Sequence, residues 1–193
     1  MTIRPLFLAA AVFVVPLALP TPLRASSPLV KEMAGSVAHD GSKDLDFLHG
    51  GPWHVHNRQL AKRLVGSKEW VEFDATDEFA ALPGNIGNEE HYRTDHWKDF
   101  VGISFQLYNA QTHQWNEYWA DNHGAPGVLQ PPVTGGFTGD IGLFEGSDTY
   151  EGKPITVRTR WKRLGANHVT WEQAFSPDGG KSWETNWFMD FTR

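Results

Sequence analysis

Phe100-Val101-Gly102-Ile103-Ser104-Phe105-Gln106-Leu107-Tyr108 decides the fold class of this chain. Val101, Ile103, Phe105 and Leu107 alternate with Gly102, Ser104, Gln106 and Tyr108, the two-residue period of a strand with one apolar face. Segments of the same kind recur on both sides, at 53–60, 67–80, 88–93, 114–121, 142–150, 154–164, 168–175 and 183–192, with a weaker one at 133–138. Turn signals separate them: Leu82-Pro83-Gly84-Asn85, residues 109–113 and 122–127, Glu151-Gly152-Lys153-Pro154, and Gly165-Ala166-Asn167. Nothing after Asp46 holds a 3.6-residue period long enough for a core helix, and only a turn or two is expected near 44–48. Ten strands with short connections imply an antiparallel meander. An open sheet of that length exposes its edges, so the expected fold is all-β, a single up-and-down barrel.

Composition bounds the function. A length of 193 residues fits one domain, and the absence of cysteine removes disulfide scaffolds, Cys-ligated metal sites and thiol catalysis. A net charge of −6 argues against a nucleic-acid partner, which calls for a basic face. The unusual feature is aromatic: 12 Phe, nine Trp and four Tyr make 13% of the chain. Rings at that density fill a core or line a cavity.

The amino terminus reads as a secretory signal over residues 1–27. Arg4 precedes an apolar run shorter than the roughly 20 residues of a spanning helix, and Ala25, Ser26 and Ser27 offer small residues for cleavage. The expected product is exported, periplasmic or extracellular, with no stable membrane insertion once the signal is removed. Residues 28–44 read as a flexible leader and 45–193 as the barrel domain. The sequence sets no oligomeric state.

Two hairpins can be registered. A turn centred near Gly165 pairs Arg158 with Glu172 and Thr159 with Trp171, placing opposite charges across from each other. Ser176-Pro177-Asp178-Gly179-Gly180-Lys181-Ser182-Trp183 matches the Asp-box pattern of β-hairpin turns. There the Asp side chain caps backbone N–H groups, a glycine takes positive φ, and the Trp packs beneath. Its meaning is structural.

Several strands mix rings and hydrogen-bonding groups on one face: Trp115, Glu117, Trp119 and Asp121; Trp171, Gln173 and Phe175; Trp183, Thr185, Trp187 and Met189. The plain explanation is that the polar members reach solvent at barrel ends. The functional one is an aromatic cavity with polar anchors, the usual make-up of a small-molecule site. On that reading the walls are Trp70, Phe105, Trp115, Trp119, Trp171 and Trp187, and the anchors are Arg58, Glu117 and Gln173. The expected partner is a small, partly apolar ligand. An enzyme, a hydrolase or isomerase, working through Glu72, Glu117, Asp121, Glu172 or the His54/His56 pair is one alternative. A structural barrel with a packed interior is the other. No cofactor is predicted, but His54 and His56 share a strand face and could chelate a divalent metal if His91, Glu90, His96 or His123 supplied a third ligand.

Leu45-Asp46-Phe47-Leu48-His49-Gly50-Gly51-Pro52-Trp53 resembles the start of a lipocalin-like (calycin) barrel, where a Gly-x-Trp pattern enters the first strand and the Trp plugs the base. The resemblance implies a late Arg over that Trp, with Arg158, Arg160 and Arg193 as candidates. Gly66 to Phe73, Tyr118 to Asn122 and Trp171 to Gly180 resemble a bacterial group of domains of unknown function, over roughly 45–193. That group is distantly similar to nitrobindin-type haem barrels, whose glycine-rich opening is replaced here by His54 to Arg58. Haem is the cofactor this likeness raises, with His168 the residue from which an axial ligand would come.

Overall fold

Each of the ten alternating segments forms a strand in the computed structural model, which describes residues 40–124 and 126–193. The signal at 1–27 and the leader as far as residue 39 lie outside the described residues. The strands are β1 (Trp53–Leu60), β2 (Trp70–Ala81), β3 (Gly87–Thr94), β4 (Phe100–Asn109), β5 (Gln114–Asp121), β6 (Val133–Thr138), β7 (Ile141–Tyr150), β8 (Lys153–Gly165), β9 (His168–Ser176) and β10 (Glu184–Thr192). Each pairs antiparallel with its neighbours in sequence, and β1 pairs with β10 from His54↔Thr192 to Gln59↔Trp187. The sheet therefore closes, and every strand has a partner on both sides over at least part of its length. The short helical turn expected near 44–48 is a 3-10 turn at Asp46–Leu48, joined by others at Gly41–Lys43 and Pro83–Asn85.

One end of the barrel is plugged. Trp53, Leu45 and Leu48 are fully buried, and the Trp53 indole donates to the Leu48 carbonyl at 2.8 Å. The Trp115 indole reaches the Gly41 carbonyl at 2.8 Å. Gly41, within the stretch read as leader, is thus buried at the base. The late arginine is Arg193, whose guanidinium lies 4.1 Å from the Trp53 ring centroid.

The β8–β9 hairpin corrects the register read from the sequence. Arg160, not Arg158, lies opposite Glu172, and Thr159 faces Gln173. The turn is centred on Ala166-Asn167, with an irregularity between Arg163 and Gly165, so the pairing slips by two residues. A slip of two keeps every side chain on its face. Arg160 still meets Glu172 at 2.9 Å, while Arg158 pairs with Glu145 of β7 at 2.6 Å and stacks over Trp183.

The β9–β10 turn is the expected Asp box. Asp178 accepts from the Lys181 and Ser182 backbone N–H groups and from the Ser176 and Ser182 hydroxyls. Gly179 and Gly180 take φ of 73° and 91°, and the Trp183 indole donates back to the Gly180 carbonyl. These bonds, the Ser182 hydroxyl first, hold the Asp178 carboxyl far below the usual carboxylate range.

The seam between β5 and β6 is short. Only Trp115↔Gly135, Asn116↔Thr134 and Glu117↔Val133 pair, so the distal half of β5 has no strand partner on that side. The connection leaves β5 through Asn122 and returns to it where the Gln130 N–H meets the Trp119 carbonyl at 2.8 Å.

Candidate functional site

The plug fixes which face of every strand points inward. Trp53, Val55 and Asn57 are buried, and alternation around the ring carries that parity from strand to strand. On β2 it selects Phe73, Ala75, Asp77 and Phe79; on β3, Asn88, Glu90, Tyr92 and Thr94. On β4 it selects Phe100, Gly102, Ser104, Gln106 and Tyr108. Val101, Ile103, Phe105 and Leu107, the apolar face of the clearest strand in the sequence, point outward.

The sequence-predicted site residues divide accordingly. Glu117, Trp119, Trp171, Gln173 and Trp187 share the inner face and keep accessible surface there. Trp115 also points inward but is sealed in the base at 1% exposure. Phe105, Trp70 and Arg58 are corrected, because all three lie on the outer face. Phe105 sits between Glu89 and Tyr118, and Arg58 is stacked between the rings of Trp70 and Phe188. Arg58 also lines an external groove of about 370 Å3 with His56, Glu72, Arg160, Glu172 and Asp190.

Histidines on strands all face outward. His54 and His56 lie beside Asp74, with His56 Nδ1 at 3.0 Å, and His168 meets Asp190 at 2.6 Å. His91 is on the outer face of β3, Glu90 is inside, and His96 and His123 belong to loops, so the set weighed for a metal does not converge. Among the described residues no group of three His, Asp or Glu side chains is placed to hold a metal ion. No strand imidazole, His168 included, faces the interior.

The interior carries polar groups that the alternation of single strands does not single out. Glu90 accepts from the Ser104 hydroxyl and lies against Asp77. Asp77 is fully buried, and neither of its oxygens meets a donor if both carboxyls are ionised. Burial first, and the Glu90 charge second, push the Asp77 carboxyl well above its ordinary range; burial also raises Glu90. A proton held between the two removes the repulsion. Glu117 accepts from the Trp161 indole at 2.8 Å, yet burial pushes its carboxyl up to about 8, so it is largely neutral at pH 7. Asn57 Oδ1 collects both the Tyr92 hydroxyl and the Trp187 indole at 3.0 Å. Gln106 Oε1 and Asn88 Nδ2 remain buried without a hydrogen-bond partner.

The remaining carboxylates weighed for catalysis are accounted for. Glu72 and Glu172 face outward, beside His56 and Arg160. Asp121 caps the loop after β5, accepting from the Trp119 indole and the His123 and Gly124 N–H groups. Gly102 makes room for the Trp119 ring, since a Cβ there would stand 2.2 Å from Cη2.

Asp77 carried a signal in the sequence, as the one polar member of the Phe73, Ala75, Asp77, Phe79 face. Strand β3 is polar on both faces, so Glu90 carried none. Arg63, in the loop between β1 and β2, carried none either. Its guanidinium turns into the barrel toward Tyr150, Phe175 and Trp187, at 5.6 to 5.9 Å from the ring centroids.

The chain matches no model of a known protein family, and no curated protein matches it.

Proposed function

We propose that this chain is an exported, lipocalin-like barrel that takes a small, partly apolar molecule into its interior. The observation that carries the reading is the inversion of β4. A barrel with a solid hydrophobic core would bury Val101, Ile103, Phe105 and Leu107; this one turns Ser104 and Gln106 inward, next to Glu90 and Glu117. Burying polar groups costs free energy unless something pairs with them, and Asn88 Nδ2 and Gln106 Oε1 are left unpaired. Trp119, Trp171 and Trp187 keep free surface on the same inner face, which supplies the apolar wall. No resident cofactor is invoked.

The test uses these rings as reporters. Fatty acids, flavonoids, haem and oligosaccharides are titrated against the native tryptophan fluorescence of the purified protein, and one class is expected to quench or shift it saturably. No response from any class, together with a crystal structure showing side chains filling the interior, overturns the reading.

Catalysis in the same cavity is the second reading. It is favoured by Glu117, a carboxyl poised to hold or release a proton near neutrality, beside the proton-sharing Asp77–Glu90 pair. Turnover of a bound ligand that is lost in Glu117→Gln while binding persists would establish it; unchanged ligand recovered after prolonged incubation would exclude it.

A further inference from the structure

We infer that the ligand carries an anionic head, a carboxylate in the first instance, and that Arg63 receives it at the open end of the barrel. This rests on the proposed binding function and names its ligand class. Arg63 lies in the loop between β1 and β2, at the end opposite the Trp53 plug. Three rings from three strands, Tyr150 of β7, Phe175 of β9 and Trp187 of β10, surround its guanidinium.

A guanidinium among rings keeps its charge and its need for acceptors. Arg63 Nε is buried and has no hydrogen-bond partner. No carboxylate among the described residues lies within ion-pair distance of it. The nearby acid, Glu184, spends Oε1 on the Leu64 N–H at 2.6 Å and acts on Arg63 only from a distance. The other positively charged side chains near rings are differently placed. Arg158 is neutralised by Glu145, Arg163 by Asp140, Arg58 is on the outer face, and Arg193 at the plugged end donates to backbone carbonyls. Arg63 is thus a cation set among rings of the inner face, with an Nε–H that has no partner.

The surroundings suit an amphipathic acid. Deeper in the barrel, Glu117 and the Asp77–Glu90 pair favour their proton-bearing forms, which lessens their repulsion of an anion. Trp187, beside Arg63, lies edge to face with Trp171 at 5.8 Å, and the two offer an apolar wall for the ligand body. A carboxylate meeting the guanidinium would form two charge-assisted hydrogen bonds, one of them to the Nε–H that now lacks a partner.

The experiment is calorimetric titration of the full chain at pH 6.5 with octanoate, 1-octanol and octylammonium, on the wild type, Arg63→Met and Arg63→Lys. Octanoate is expected to bind at least ten-fold more tightly than octanol, and Arg63→Met to abolish that preference with octanol binding still measurable. Arg63→Lys keeps the charge without the fork and is expected to fall between the two. Circular dichroism of each variant checks folding, and octanol binding serves as an internal control for an intact cavity. Equal affinity for octanoate and octanol in the wild type, a preference for octylammonium, or a preference that survives Arg63→Met overturns the assignment while the cavity stands. Failure of all three ligands to bind counts against the cavity itself.

Discussion

Arg193 holds Trp53 from outside the barrel. Its guanidinium lies 4.1 Å from the indole centroid and donates to the carbonyls of His49, Phe47 and Ala166. One side chain thus ties the carboxyl terminus, the segment entering β1 and the β8–β9 turn to the plug. Arg193→Ala is expected to cost about 1–3 kcal/mol through the lost cation–π contact and charge-assisted bonds. Trp53→Ala should cost about 3–5 kcal/mol, as expected for a large ring removed from a packed core. Urea denaturation midpoints measure both, and a neutral Arg193→Ala would show that the plug stands alone.

Stability should fall as pH rises through neutrality. Glu117 titrates near 8 in the folded chain against an ordinary 4.5, so the folded state keeps a proton that the unfolded state has released. Proton uptake favours folding in that window, and the contribution is present below about 4.5 and lost as pH rises through about 8. Asp77 and Glu90 act with the same sign. Thermal midpoints between pH 5 and pH 9 should decline, and Glu117→Gln should flatten part of the slope. A midpoint rising across that range would contradict the assignment.

The Asp box predicts the opposite dependence in acid. Asp178 is depressed below its ordinary 3.8, so what it contributes is present above that value and lost as pH falls below it. Asp178→Ala should lower the melting temperature and make the Ser176–Trp183 turn more readily cut by protease. An unchanged cleavage pattern would mean that the two glycines and Trp183 hold the turn without the carboxylate.

Gly102 reports on packing at the inner face of β4. In Gly102→Ala the new methyl must displace the Trp119 ring, whose indole is anchored on Asp121 at 2.9 Å. A cost of about 1–3 kcal/mol is expected from overpacking, with a shifted tryptophan emission. A variant with wild-type emission and stability would show that the ring moves aside freely.

Much of the fold was legible in local sequence. Alternation located the ten strands to within a few residues, because the two-residue period is a property of each strand alone. The Asp box was legible for a similar reason, since its bonds close within eight residues. Trp53 was recognisable as the plug from the Gly51-Pro52-Trp53 pattern. The late arginine was narrowed to three candidates, and only the closure of β1 on β10 selects Arg193, which lies 140 positions away from Trp53.

The site was less legible. Glu117, Trp119, Trp171, Gln173 and Trp187 were grouped because mixed ring and polar faces are visible in one strand, and register puts all five on the inner face. Phe105 and Trp70 were misplaced because apolar character was taken as a mark of the inner face. Arg63 and Glu90 had no local signature, as one lies in a loop and the other in a strand polar on both sides.

Residues 100–108 mark the division. Their alternation alone establishes a strand with two unlike faces, and ten such strands without cysteine leave closure as the way to satisfy their backbones. It does not say which face looks inward. That was decided by register around the ring, where Tyr92 lies opposite Gly102 and Gly102 opposite Asp121. Register is a relation between strands, and a slip of one residue would reverse every side chain. The closed barrel therefore overrides the hydrophobicity of a single strand, and it is closure that turns Ser104 and Gln106 toward the interior.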